Sequence, residues 1–351
     1  MNQVHRVAVV GIGKISDIYI KNITESFDNL QIVGLFDLIR DRADSVAKTY
    51  SIPKVYNSLQ EVMADDDVDI VLNLTRPNDH FSVAYQALMS GKHVYIEKPV
   101  TTSFEDGLKL VHEAEIRGLY LGVAPDTFLG AGIQTCKKLI DDGIIGEPVG
   151  AAAQMVCHGW ERWHPDPDFY YKRGGGPLMD MGPYYITALI YLMGHARTVT
   201  GMAKTTFNKR QILNSYREGE EIDVEVPTWI NSIIQFDSGS QAGLLTTFDG
   251  YYTSESRFEL YGTKGTIIVP DPNWFKGPVQ VFDHKKNTFE PVPLVSRHEG
   301  NLRGMGLAEM ARAISEKRPC MANAKQALHA LDILESIEKS YSCGRVVNLR
   351  T

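Results

Sequence analysis

The chain has few cysteines, no long apolar run and no concentration of one charge, and each absence removes a class of function. Its four cysteines, Cys136, Cys157, Cys320 and Cys343, lie far apart and form no CxxC pair. A disulfide framework and a structural zinc site are therefore not expected, and a reducing cytoplasm suits the composition. No apolar run approaches the roughly 20 residues needed to span a bilayer. The N-terminal MNQVHRVAVVGIG passes straight into an apolar run and a glycine turn, which is not the layout of a secretory leader. Thirty-six basic against 43 acidic residues give a net charge of −7 with no basic stripe, so nucleic acid is not an expected partner. Internal repeats and low-complexity tracts are also lacking.

What is present has two rhythms. At 351 residues the chain is too long for one typical core. Residues 1–124 alternate short apolar runs (7–10, 32–36, 70–74, 94–96 and 119–123) with helical stretches. Continuous apolar strands alternating with helices predict a doubly wound parallel sheet, a Rossmann-type α/β domain. Residues 125–351 change character. A helix near 133–140 is followed by extended segments at 233–236, 242–248, 258–261 and 266–269, separated by Asp237-Ser238-Gly239 and Gly262-Thr263-Lys264-Gly265. Two helices within 305–340, broken near Pro319, close the chain. This half predicts an α+β domain with a mostly antiparallel sheet.

The first chemical motif is Gly11-Ile12-Gly13-Lys14-Ile15-Ser16, directly after the first strand and opening a helix. In that setting Gly11 permits a tight turn, and Gly13 lets the backbone approach a pyrophosphate at the helix N-terminus. Ser16 replaces the third glycine and is small enough for helix–strand packing. Asp37 ends the second strand, where a carboxylate hydrogen-bonds the ribose 2′-hydroxyl of NAD. The structural alternative is a strand-end acid capping the next helix. NADP is the other cofactor candidate, through Arg40 and Arg42, although Asp37 repels a 2′-phosphate.

A second motif is HVYIEKPVT, residues 93–101, in which a buried strand ends in Glu97-Lys98-Pro99. With it, GKHVYIEKPV, GIGKIS, TRPNDH, KKLIDDGIIGEPVGA and GGGPLMDMGPYY together resemble the Gfo/Idh/MocA oxidoreductases over nearly the whole chain. The resemblance implies a Rossmann domain followed by an α/β domain whose open sheet forms a homodimer or homotetramer interface. It implies NAD(P)-dependent oxidation or reduction at a carbon of a sugar, cyclitol or related polyol. Carried onto matching positions, it makes Lys98 the lysine of the catalytic centre, with Asp180 and Tyr184 as partners. It assigns cofactor contacts to Gly11, Gly13, Lys14, Ile15, Asp37, Thr75, His80, Glu97 and Lys98. Two departures stand out: Arg76 and Pro77 occupy the family's proline and asparagine positions, and Tyr184 its usual histidine position.

The chemistry is consistent with these residue types. Free tyrosine, with a pKa of about 10, is a poor base near neutrality. A nearby ammonium such as that of Lys98 favours its charged form. The strand end aims Lys98 outward, Glu97 neutralises or orients it, and a cis Lys98–Pro99 bond is one way to fix such a turn. Asp180 and Tyr184 are four apart and share one face if their segment is helical. Ahead of them, His158, Trp160, Trp163 and His164 form a polar–aromatic loop suited to a sugar's apolar face and hydroxyls, with domain packing as the alternative. Arg173 offers a carboxylate or phosphate contact. His158, Glu161 and His164 match no usual zinc spacing, so no metal is expected. Three functions remain open on these residues: a dehydrogenase, an enzyme that retains NAD for glycoside elimination or hydrolysis, and a non-enzymatic NAD/sugar sensor.

Overall fold

The computed structural model describes residues 3–253, 258–296 and 300–351. It comprises two compact units, Met1–Leu129 with Gly300–Leu331, and Gly130–Glu299 with Asp332–Thr351.

In the first unit the order is β1 (His5–Val10), α1 (Ser16–Ser26), β2 (Leu30–Phe36), α2 (Arg40–Tyr50), α3 (Leu59–Ala64), β3 (Ile70–Asn73), α4 (Pro77–Met89), β4 (His93–Ile96), α5 (Phe104–Arg117) and β5 (Leu121–Val123). All five strands are parallel, in the order β2-β1-β3-β4-β5. They are apolar along their length because both sheet faces are covered. Ala8, Val10, Val71, Val94 and Ile96 pack in one core with Val83, Ala87 and Leu88 of α4 and Leu110, Val111 and Ala114 of α5. Each large side chain so buried contributes about 1.5–3 kcal/mol. The winding direction reverses between β1 and β3, which opens a crevice at their C-terminal ends.

One expectation needs correction. The helix α8 (Met305–Glu316) was assigned with everything beyond residue 124 to the second domain, but residues 300–331 pack in the first unit. The ties are polar as well as apolar. Asn29 donates to the Ala308 carbonyl at 2.8 Å, and Asn22 donates to those of Asn301 and Arg303, each at 2.8 Å. Asp126 accepts from the Gly304 and Gly306 N–H groups at 2.8 and 3.0 Å, capping the start of α8. No local pattern announces a segment that returns from so far along the chain.

Asp126 carries a testable consequence. Burial, opposed by the two glycine N–H bonds, raises its pKa to about 6. Its folded pKa lies above the unfolded value of about 3.9, so its stabilisation is full below that value and is lost as pH rises through 6. The loss is on the order of 3 kcal/mol. Asp126→Asn keeps an acceptor for both N–H groups and does not ionise. Its melting temperature relative to the parent is expected to rise between pH 4 and pH 7, and parallel melting curves across that window contradict this.

The second unit contains α6 (Ala131–Asp141), β6 (Pro148–Val156), α7 (Gly176–Met193), β7 (Ala196–Lys204), β8 (Lys209–Gln211), β9 (Glu221–Asp223), β10 (Trp229–Phe236), β11 (Gln241–Thr247), β12 (Phe258–Gly262), β13 (Thr266–Ile268), β14 (Val279–Asp283), β15 (Thr288–Val292) and β16 (Val347–Asn348). The helix α9 (Ala324–Cys343) has residues in both units. Nine strands form one sheet in the order β15-β14-β13-β12-β6-β11-β10-β7-β16, and β8 and β9 pair separately. Every neighbouring pair is antiparallel except β6 with β11. The helix α7 lies on β6, β10 and β11. Alternation along β10 buries Ile230, Ile234 and Phe236 and exposes Asn231 and Ile233. The apolar residues of these strands therefore mostly face the covered side. Only Ile233, Met202 and Val149 stand out among the exposed large apolar residues of β6, β7 and β10.

Candidate active site

In the first unit the glycine turn meets the end of β3. Gly11 has φ +94°, and a Cβ there would lie 2.8 Å from the Leu74 carbonyl carbon and oxygen and from Thr75 N. Gly13 is exposed, and a Cβ on it would meet nothing within 4 Å. Ser16 is fully buried and donates its hydroxyl to the Gly13 carbonyl at 2.7 Å, so a small third residue suffices. Ser58 caps α3 and Ser103 caps α5, whereas α1 begins after Ile15 with no side-chain cap. Its first N–H groups thus face the crevice with the partial positive charge of a helix N-terminus. Asp37 accepts from Ile12 N at 2.6 Å and from Ile39 N at 2.7 Å, which fixes the turn against the end of β2. It both caps toward α2 and presents a carboxylate at the crevice. These residues fit a dinucleotide: open backbone at Gly13, uncapped N–H groups and an acid for a ribose hydroxyl. Arg40 is engaged by Asn57 and Asp44, while Lys14 and Arg42 are exposed.

At the next strand end, Glu97 is buried and its carboxylate accepts from Tyr19 Oη at 2.8 Å and from the Lys98 backbone N–H at 2.9 Å. Burial first, and then the Glu97 charge, push the Tyr19 hydroxyl well above its usual range, so it remains a donor. Glu97 thus orients the lysine's backbone. The Lys98–Pro99 peptide is cis. His80 is fully buried, with Nδ1 2.6 Å from the Pro99 carbonyl and Nε2 3.1 Å from that of Thr75. Burial lowers its pKa, while the two carbonyl oxygens facing its ring nitrogens act the other way. Thr75 gives its hydroxyl proton to Asn73 at 2.6 Å, and Asn73 donates to the His80 carbonyl at 3.0 Å. His80 and Glu97, expected as cofactor contacts, are buried and brace the turn that carries Lys98.

In the second unit Asp180 and Tyr184 lie four residues apart within α7, on one face. Both following tyrosines are buried, Tyr185 fully and stacked on Phe258 at 6.5 Å, Tyr184 with 8% of its surface exposed. The Trp160 indole N–H donates to Asp180 Oδ2 at 2.9 Å. Its ring sits edge-on to Trp163, Tyr170 and Phe248. Trp160 is therefore a support of Asp180 and not the open platform expected of it. His158 stacks on Tyr251 at 3.7 Å, and burial lowers its pKa. His164 accepts from Asp166 N at 3.1 Å and packs against Trp163, Phe169 and Tyr170, which makes it part of the loop's frame. Trp163 is 56% exposed and offers a ring face. Arg173 is exposed, and its charge opposes the burial that raises the pKa of Glu338.

Sequence reasoning missed what holds this loop. Arg210, on β8, is buried and pairs with two buried carboxylates, those of Glu161 and Asp249. A buried charge on a short strand gives no local signal. Glu161 was weighed only as a sugar or metal contact, and among the described residues no group of three or more His, Cys, Asp or Glu could hold a metal ion.

Two family models match the chain: an oxidoreductase family with an NAD-binding Rossmann fold over residues 5–124, and the GFO/IDH/MocA C-terminal domain over 133–268. A scyllo-inositol 2-dehydrogenase (NAD(+)) of Bacillus subtilis (strain 168) is 27% identical over 289 residues, 82% of this chain and 80% of that protein. Among solved structures, aldose-aldose oxidoreductase from Caulobacter crescentus, complexed with glycerol, superposes with TM-score 0.83 at 22% identity, covering 99% of this chain and 100% of that one. Levoglucosan dehydrogenase in complex with NADH and levoglucosan gives 0.85 at 18% identity, covering 99% and 100%. These two share the fold.

Proposed function

From the premise that the chain belongs to the GFO/IDH/MocA family of NAD-binding oxidoreductases, we propose that it oxidises a secondary alcohol of a sugar, cyclitol or related polyol. One observation carries this most: the first unit sets an NAD-type turn, built on Gly11 and Asp37, one strand from a braced turn presenting Lys98. The relative named scyllo-inositol 2-dehydrogenase supports a polyol. Asp37 at the crevice and the engagement of Arg40 by Asn57 and Asp44 support NAD over NADP.

NAD bound at this turn supplies the acceptor for the hydride that leaves the carbinol carbon. The chain's own groups handle the proton and the charge. Tyr184 takes the hydroxyl proton, and the Lys98 ammonium stabilises the negative charge that develops on the substrate oxygen. Asp180 orients the substrate. Exposed Trp163 stacks on the substrate's apolar face, and Arg173 meets a polar or anionic substituent. Whether Lys98, Asp180 and Tyr184 act together is tested through kinetics below. A thermal-shift screen of polyols with NAD tests substrate class: a true ligand raises the melting temperature by mass action, and uniform silence contradicts the polyol assignment.

Trp163→Ala is expected to raise KM several-fold more than it lowers kcat, because stacking is felt in ground and transition states alike. A collapse of kcat at constant KM contradicts that role. The exposed Met202 and Ile233 on the open sheet face support a homodimer or homotetramer through the second unit, which a monomer by light scattering contradicts.

A further inference from the structure

The loop that carries Trp160 is clamped from beneath by a charge cluster that plays no part in the chemistry above. Arg210 is 5% exposed and spends its guanidinium on four acceptors. Nε donates to Glu161, Nη1 to Asp249 Oδ1 at 3.1 Å, and Nη2 to the carbonyl oxygens of His158 at 2.7 Å and Phe248 at 3.1 Å. Asp249 is fixed in turn by the Thr228 hydroxyl at 2.7 Å. Two of these bonds land on residues 158 and 161, on either side of Trp160. Asn214 adds a second clamp, donating to the His164 carbonyl at 2.7 Å and the Glu161 carbonyl at 3.3 Å. Gly159 allows the cluster to close, since at φ +81° a Cβ there would lie 2.1 Å from both Glu161 Oε2 and Tyr171 Oη.

A buried arginine with two carboxylates is a costly way to stabilise a loop, and an apolar plug of similar volume often does as well. What the planar guanidinium adds is direction, because its donors point in a fixed fork. Here that direction holds the His158 carbonyl and the Glu161 side chain, on either side of Trp160, whose indole N–H holds Asp180 Oδ2 at 2.9 Å. We infer that Arg210 is a positioning residue for Asp180, acting through Trp160. The inference rests on the catalytic role proposed for Asp180.

The test combines kinetics with a readout that needs no substrate. Arg210→Lys keeps the charge but cannot reach four acceptors, so the loop loosens while the buried carboxylates stay compensated. Its kcat is expected to fall roughly tenfold, and that of Trp160→Phe roughly 10- to 100-fold, with KM in both within about twofold. The double variant should be no slower than Trp160→Phe alone, as for residues acting along one path. In parallel, the indole N–H resonance of Trp160, identified by its loss in Trp160→Phe, should shift in Asp180→Asn and exchange faster in Arg210→Lys. If Arg210→Lys does not fold, Asn214→Ala loosens the same loop without a buried charge and is expected to speed that exchange as well. An unchanged Trp160 indole in the loosened variant overturns the inference, as does a lowered melting temperature at wild-type kcat, or effects that multiply. Wild-type turnover in Asp180→Asn defeats the catalytic role of Asp180 instead, and the indole signal still reports whether Arg210 holds Trp160.

Discussion

Lys98→Met is expected to lower turnover by roughly a hundred- to a thousandfold, the range seen when one preorganised group facing developing charge is removed. Methionine keeps much of the length and apolar stem of lysine, so the half-buried side chain leaves little cavity. Two braces of the turn act on its backbone: Glu97 holds the residue's N–H, and His80 holds the Pro99 carbonyl. The variant should therefore fold normally. NAD affinity should change far less, since Gly11, Gly13 and Asp37 are untouched. Tyr184→Phe should remove the same activity, and the double variant should be little worse than either, as for groups acting as a unit. Additive losses, or near-wild-type turnover in Lys98→Met, contradict the paired role.

The glycine turn carries the second large effect. Alanine at Gly11 sets a left-handed φ of +94° against a Cβ and brings that Cβ to 2.8 Å from the backbone of Leu74 and Thr75. The obstacle cannot easily retreat, because Leu74 N–H is bonded to the Val10 carbonyl at 2.8 Å and Gly11 N–H to that of Phe36 at 2.9 Å. Gly11→Ala is expected to cost about 2 kcal/mol or more of stability and at least about a hundredfold in NAD affinity. Gly13→Ala separates the two effects. Its Cβ meets nothing within 4 Å, so the melting temperature without cofactor should hold while NAD binding weakens. Calorimetric titration and thermal melts of the pair read both quantities. Unchanged NAD affinity in Gly13→Ala contradicts the approach of the pyrophosphate to that position.

What the sequence disclosed follows from the range of the forces involved. The parallel sheet was legible because strands covered on both faces must be apolar throughout, as Val7 to Val10 and Val94 to Ile96 are. The glycine turn was legible because φ at Gly11 and the approach of Leu74 admit one residue type. The strand β6 was hidden by Ala151, Ala152 and Ala153, whose propensity favours helix until a sheet accepts them. The helix α8 was placed with the second domain because its bonds to Asn29 and Asp126, and those of Asn22 to residues 301 and 303 just before it, join parts of the chain far apart in sequence. Within the candidate site, the residues proposed for chemistry stand in recognisable motifs, but the division between groups open to a ligand and groups that brace them is not written there. His80, Glu97 and Trp160 look like ligand groups in a motif; burial and hydrogen bonds make braces of His80 and Glu97, and the indole N–H bond to Asp180 makes one of half-buried Trp160.

The most direct test of the central claim is accumulation of NADH by the purified protein, given NAD in excess and the polyol that stabilises it best. NADH is expected in many-fold excess over enzyme, formed faster with NAD than NADPH is with NADP, and absent in Lys98→Met. Formation of NADH that stops at or below one equivalent of protein, with every polyol that binds, contradicts a dehydrogenase and leaves retained-cofactor chemistry or sensing in its place.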